Sequence, residues 1–220
     1  MAYVDFITKL HQSSKRDYIA RVVNDDKAEC AAVAKKFGHE YWDGDRRYGY
    51  GGYKYNGRWR TVAEDMAQHY HLQPGQRVLD VGCGKAFLLY ELTQAVPGLE
   101  VAGIDFSGYA IENAKEEVKP FLRQGLAQEL PYPDHSFDLV YSITTLHNLP
   151  VFDLKKAVQH VNRVSKGNSH IVVESYRNER EKMNLLYWQL TCEAFFSVEE
   201  WEWLYREWGY RGDYSFIFFE

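Results

Sequence analysis

Residues 78–89 read VLDVGCGKAFLL, an apolar run that reaches Asp80 and breaks into Gly82-Cys83-Gly84 before a helix-like stretch. Two glycines at this spacing let the backbone approach a ligand with no Cβ in the way. The helix start behind them offers backbone N–H groups to a polar ligand. From Gly84 it is 21 residues to Asp105, which ends a second apolar run, where a carboxylate can accept both hydroxyls of a ribose. The chemistry this spacing supports is nucleoside binding. A dinucleotide fingerprint needs a third glycine three residues after the second, and Phe87 stands there. The small residue is Ala86, giving Asp-x-Gly-x-Gly-x-Ala. An acidic Asp80 beside the loop suits a ligand with cationic groups better than a pyrophosphate.

The loop resembles motif I of the class I S-adenosylmethionine-dependent methyltransferases, with Ala in the last place. ELPYPDHSFDLVYSITTLHNL, residues 129–149, is similar to that family's run from the adenine loop through its fourth strand. The resemblance extends from about Thr61 to residue 176. It implies S-adenosyl-L-methionine as cofactor, held by Asp80, Gly82, Cys83, Gly84, Asp105, Phe106, Leu126, Ala127 and Ser142. One place departs from the family: many relatives carry Asp before the Ala of the adenine loop, and here Leu126 precedes Ala127. Adenine is then left to backbone groups and a neighbour such as Gln128. His147 is a candidate catalytic residue or a packing histidine, and Glu174 a substrate-site carboxylate or a solvated strand end. Cys83 reads as a small loop residue, since no His or Asn is tied to it by a motif.

Residues 41–59, YWDGDRRYGYGGYKYNGRW, hold seven aromatics in nineteen positions, too many for a solvated linker. Arg46, Arg47 and Arg58 can meet a carboxylate or phosphate. Tyr48, Tyr50, Tyr53 and Tyr55 can cage a cationic amine or sulfonium. Tyr50 and Tyr53 are the candidates for touching the acceptor. Glycines at 44, 49, 51, 52 and 57 supply hinges, and the segment is expected to be a lid.

These residues need a frame to bring them together. From Thr61 onward strand and helix patterns alternate, which predicts a mainly parallel sheet covered by helices. Strands are expected over Arg77 to Val81, Val101 to Ile104, Phe121 to Arg123, Phe137 to Ile143 and His170 to Ser175, with YSFIFFE as a buried final strand. Thr61 with Glu64 and Ser197 with Glu200 read as capping boxes, and Asp153 as a helix cap. Residues 1–60 form the helical segment and lid, and 61–220 the S-adenosylmethionine-binding domain, one structural domain overall. The resemblance implies a Rossmann-like sheet of seven strands with helices on both faces.

Composition sets the outer limits. Hydrophobic residues make up 45% and charged residues 26% of 220 positions, enough for one sizeable core. A net charge of -5 supplies no global attraction to nucleic acid. The three cysteines show neither zinc spacing nor a disulfide framework, as suits a reducing compartment, and no metal constellation stands out. No apolar run approaches the ~20 residues a membrane span needs. A cytoplasmic enzyme acting on a small molecule is expected, with no nucleic-acid or membrane partner. Together with LLYWQLTCEAFFSVEEWEWLYREWGY, the whole chain resembles small bacterial methyltransferases acting on polar metabolites. N-methylation of a phosphorylated or zwitterionic amine is the expected reaction. O-methylation of a sugar or acid, or an RNA or protein acceptor, are the alternatives.

Overall fold

A computed structural model describes residues 1–13, 16–51 and 53–220; Gly52, one of the expected hinges, lies outside them. Six strands run in parallel: β1 (Arg77–Val81), β2 (Glu100–Asp105), β3 (Leu122–Gln124), β4 (Phe137–Ile143), β5 (Ser165–Glu174) and β6 (Asp213–Ile217). Their order across the sheet is β3-β2-β1-β4-β5-β6. Chain direction across the sheet reverses between β1 and β4, so a crevice opens at the carboxyl ends of these two strands.

The sheet sorts its side chains by the two-residue period of a strand. Val78, Leu139, Tyr141 and Val172 pack on one face with the helices Arg60–His69 and Phe87–Ala95. Leu79, Val140, Ile171 and Val173 pack on the other with Val151–Val164 and Val198–Glu207. Both faces are covered, which is why the strands read as nearly continuous apolar runs.

Three expectations are corrected. Among the described residues the sheet has six strands, not seven. β6 pairs with β5 in parallel, and its outer side takes an isolated bridge from the start of the chain. There the Val4 N–H donates to the Tyr214 carbonyl at 2.9 Å and the Tyr214 N–H to that of Ala2 at 3.0 Å. Thr61 and Glu64 form no capping box, because the helix opens two residues earlier, with Trp59 at its cap position. Asp153 lies inside the first turn of its helix, whose cap position is Pro150. The capping box of Ser197 and Glu200 does form. No helix among the described residues is long and apolar enough to cross a membrane.

The aromatic segment is packed, not extended. Tyr41 joins Cys30, Ala34 and Leu190 in a small core of its own, with Trp42, Tyr48, Tyr50 and Tyr53 against it. Trp42, Tyr50 and Tyr53 line the crevice.

Candidate active site

The glycine loop leaves β1 through Gly82 at φ +84°, Gly84 at +52° and Ala86 at +57°, a left-handed run that lets the chain turn straight into the helix Phe87–Ala95. A Cβ on Gly82 would lie 2.1 Å from Thr145, and one on Gly84 2.7 Å from the Trp42 ring. The loop amides are engaged within the protein. Gly82 and Cys83 donate to the Ile104 carbonyl at 2.7 and 3.1 Å, and Gly84 to Asp105 at 2.7 Å. The loop therefore offers a ligand close backbone approach more than free donors.

Above it lies one cleft with two lobes. The smaller, about 280 Å³, is bounded by Asp80, Gly82, Cys83, Gly84 and, from the N-terminal part, Arg46 and Arg58. The larger, about 500 Å³, runs past Asp105, Phe106, Leu126, Ala127 and Gln128 to His147 and Glu174. Trp42, Tyr50 and Tyr53 border both. Such volumes suit a small organic ligand.

Asp80 is buried; loss of solvent lifts its carboxyl to about 8, with Tyr141 opposing and Asp105 adding to the rise. Asp105 is raised as well by burial, against two N–H donors, Ser107 and Gly84, each at 2.7 Å. Phe106 is exposed at the rim, edge-on to Phe37. Ser142 does not reach the cleft: its fully buried hydroxyl donates to the Val81 carbonyl at 2.7 Å and ties β4 to β1. Cys83 is buried, and desolvation pushes its thiol far from ionisation.

Of the four expected cage tyrosines, two line the cleft. Tyr55 turns to Glu91, donating at 2.7 Å, and Tyr48 lies under the Arg47 guanidinium. Tyr53 is stacked among Tyr41 and Trp42. Tyr50 spends its hydroxyl on the segment after Trp188. It accepts from the Leu190 and Thr191 amides at 2.8 and 3.1 Å and donates to Gln189 at 2.5 Å. Burial raises both phenols above their ordinary range.

The floor of the larger lobe is polar. Gln189 donates its side-chain amide to Glu174, and His147 Nε2 stands 3.6 Å from the same carboxylate oxygen. His147 Nδ1 faces the Glu174 backbone N–H at 3.4 Å, so its proton sits on Nε2, towards the carboxylate. Burial holds His147 neutral, with its pKa down at about 3. Burial lifts Glu174 to about 8 against the opposing pull of Arg16 and Gln189. Glu174 is thus not the solvated strand end that its sequence position allowed, and His147 is buried beside it.

Sequence reasoning missed Trp42, Trp188 and Gln189 as site residues, and Thr144. Thr144 closes β4 at φ +55°, a strained conformation for a β-branched residue, and borders both lobes. No local pattern marks Trp188, Gln189 or Thr144, and Trp42 was marked only as one of the seven aromatics of residues 41–59.

The residues present fit S-adenosylmethionine on structural grounds. The side-chain oxygen of Gln128, beside Leu126 and Ala127, is buried with no hydrogen-bond partner among the described residues. Such a group calls for a polar ligand, and adenine supplies one.

Comparison with known proteins points the same way. A family model described as a methyltransferase domain matches residues 72–209. The demethylmenaquinone methyltransferase of Lysinibacillus sphaericus (strain C3-41) is 35% identical over 127 residues, covering 55% of this chain and 52% of its own. That of Geobacillus kaustophilus (strain HTA426) is 37% identical over 116 residues, covering 50% and 47%. The chain thus spans about half the length of these curated relatives. The YcgJ protein of Bacillus subtilis shares the fold at 24% identity, with a TM-score of 0.55 over 66% of each chain.

Proposed function

This chain belongs to the methyltransferase-domain family, and from that premise we propose that it is an S-adenosylmethionine-dependent methyltransferase whose acceptor is a small polar metabolite held in the larger lobe. When bound, the cofactor supplies a sulfonium methyl group open to in-line displacement. The protein's task is to align an acceptor and exclude water.

The cofactor roles follow the two lobes. Asp105 meets the ribose hydroxyls, and Leu126, Ala127 and Gln128 the adenine. Gly82, Cys83 and Gly84 give close backbone approach, and Asp80 faces the cationic end. Residues 41–59 act as a lid over both lobes, with Asp43 anchoring it to Lys85 through both carboxylate oxygens at 2.7 Å. Residues 61–220 carry the cofactor site.

One observation carries the acceptor reading: a buried polar floor, Glu174 with His147 and Gln189, lies beneath an aromatic roof beside the cofactor loop. A carboxylate under aromatic rings favours an amine, so N-methylation is the preferred reaction. The depth of this floor favours a small molecule over RNA or a folded protein. A second reading rests on the apolar walls, Trp188, Phe219, Ile217 and Leu149. They would also hold a flat ring, as the names of the demethylmenaquinone methyltransferases imply for those proteins. The test is label transfer from S-adenosylmethionine into a metabolite extract, with mass identification of the product.

A further inference from the structure

We infer that Glu174 is the catalytic residue that takes the acceptor's proton, and that the lid sets this carboxylate through Tyr50 and Gln189. The inference rests on the small-acceptor reading and goes beyond it by naming the base and its control.

The geometry is a chain of contacts from roof to floor. The Tyr50 hydroxyl, on the aromatic segment, donates to the Gln189 side-chain oxygen at 2.5 Å. Gln189, its amide oxygen so fixed, turns its NH₂ to the Glu174 carboxylate. On the other side neutral His147 presents Nε2–H at 3.6 Å. Glu174 is 7% exposed, and what exposure it has opens to the larger lobe. The carboxylate therefore has two oriented neighbours and one open direction, towards the acceptor.

The charges around Glu174 decide what it can do. Arg16 pulls it towards ionisation. His147 is neutral, and the phenols Tyr41, Tyr50 and Tyr53 and the thiol Cys192 are held in their protonated forms by burial. Among these groups Glu174 is the one poised to gain or lose a proton near neutrality. A base works best with a pKa close to the working pH. In the step itself an acceptor nitrogen with one N–H bond attacks the methyl carbon. The carbon–sulfur bond breaks, and its electron pair remains on sulfur as a neutral thioether. The N–H proton passes to the ionised Glu174, which returns it to solvent when the lobe opens.

Loss of the Tyr50 hydroxyl frees Gln189 to rotate away. The carboxylate then loses a donor that favours its charged form, and its pKa rises. The experiment is a pH titration of the full-length protein carrying ¹³C-carboxyl glutamate, followed by NMR, with Glu174 assigned by its absence from Glu174→Gln. The expected result is a Glu174 titration well above the ordinary glutamate range, moving up further by about half a unit or more in Tyr50→Phe. Gln189→Met cuts the same link while leaving the amides of Leu190 and Thr191 to Tyr50, so it should move the titration in the same direction. The kinetic arm uses methyl-labelled S-adenosylmethionine with a metabolite extract. Glu174→Gln should cut product formation at least about a hundredfold with cofactor affinity unchanged within twofold. The alkaline rise of the wild-type pH profile should disappear with it.

A Glu174 that titrates in the ordinary range, or that neither variant moves, overturns the relay. A Glu174→Gln protein with wild-type turnover and pH profile overturns the base. A wild type that methylates nothing in the extract instead overturns the small-acceptor reading, and the carboxyl titration still decides the relay.

Discussion

Lys85 holds Asp43 by both carboxylate oxygens at 2.7 Å, and Tyr109 donates to one of them at 2.9 Å. The lysine is the residue after Gly84, so this contact bolts the aromatic segment to the glycine loop. Lys85 is almost wholly buried and would be left without its counter-charge in Asp43→Asn. That variant should exchange amide hydrogens faster across residues 41–51 and bind S-adenosylhomocysteine about tenfold more weakly. Unchanged exchange and affinity would mean that the segment is held by its aromatic packing alone.

Asp105 already accepts the Gly84 and Ser107 amides, one on each oxygen. Each oxygen keeps a lone pair for a ribose hydroxyl. Asp105→Ala removes charge-assisted bonds of about 1.5–3 kcal/mol each and also releases the loop. Cofactor affinity should drop at least tenfold in a protein whose circular dichroism is unchanged. Full affinity in a folded variant would place the ribose elsewhere.

Asp80 offers a proton-linkage test. With its pKa lifted to about 8, its carboxyl is mostly protonated at pH 7 in the free protein. A cationic ligand group favours the ionised form, so binding should release a proton. Calorimetry of S-adenosylmethionine binding at pH 7 in phosphate and in Tris should differ by the buffers' ionisation enthalpies, with affinity rising towards pH 8. Asp80→Asn should abolish the difference. Equal heats in both buffers for the wild type would show that Asp80 does not face the cationic end.

Glu174 makes a stability prediction whose sign can be worked out. Its folded pKa of about 8 lies above the unfolded value of about 4.3, so between these limits the folded state binds more protons. Stability from this group is present below pH 4 and is lost as pH climbs through 8. Glu174→Gln removes the loss, so its melting temperature at pH 8.5 should exceed that of the wild type by several degrees. The gap should close at pH 5. The same slope in both proteins would mean that the carboxylate ionises freely and is not buried as described.

Much of the frame was legible because its signals are local. β4 falls where the apolar run Phe137 to Ile143 lies, and the capping box of Ser197 and Glu200 forms from residues three apart. The turn of the glycine loop was readable for the same reason: its glycines, Asp80 and Asp105 are tied to strand ends. The expectation of a seventh strand came from resemblance and not from a pattern in the chain, and the described residues form six. Thr61 and Glu64 have the right spacing for a cap, yet the helix has its cap position two residues earlier, at Trp59. The acceptor side was the least legible. Tyr50 meets Gln189 across 139 positions, and Lys85 meets Asp43 across 42, and no periodicity announces such contacts. Ser142 shows the converse: a hydroxyl in the family's binding region that the fold uses to join two strands.

The central claim is that a small molecule receives the methyl group in the lobe floored by Glu174. The most direct measurement incubates the full-length protein with methyl-labelled S-adenosylmethionine and a metabolite extract supplemented with RNA and protein, then separates label by mass. The account predicts a low-mass methylated product, formed by the wild type and suppressed in Glu174→Gln while cofactor binding persists. Label found only in RNA or protein, or a low-mass product made equally by both proteins, would contradict it.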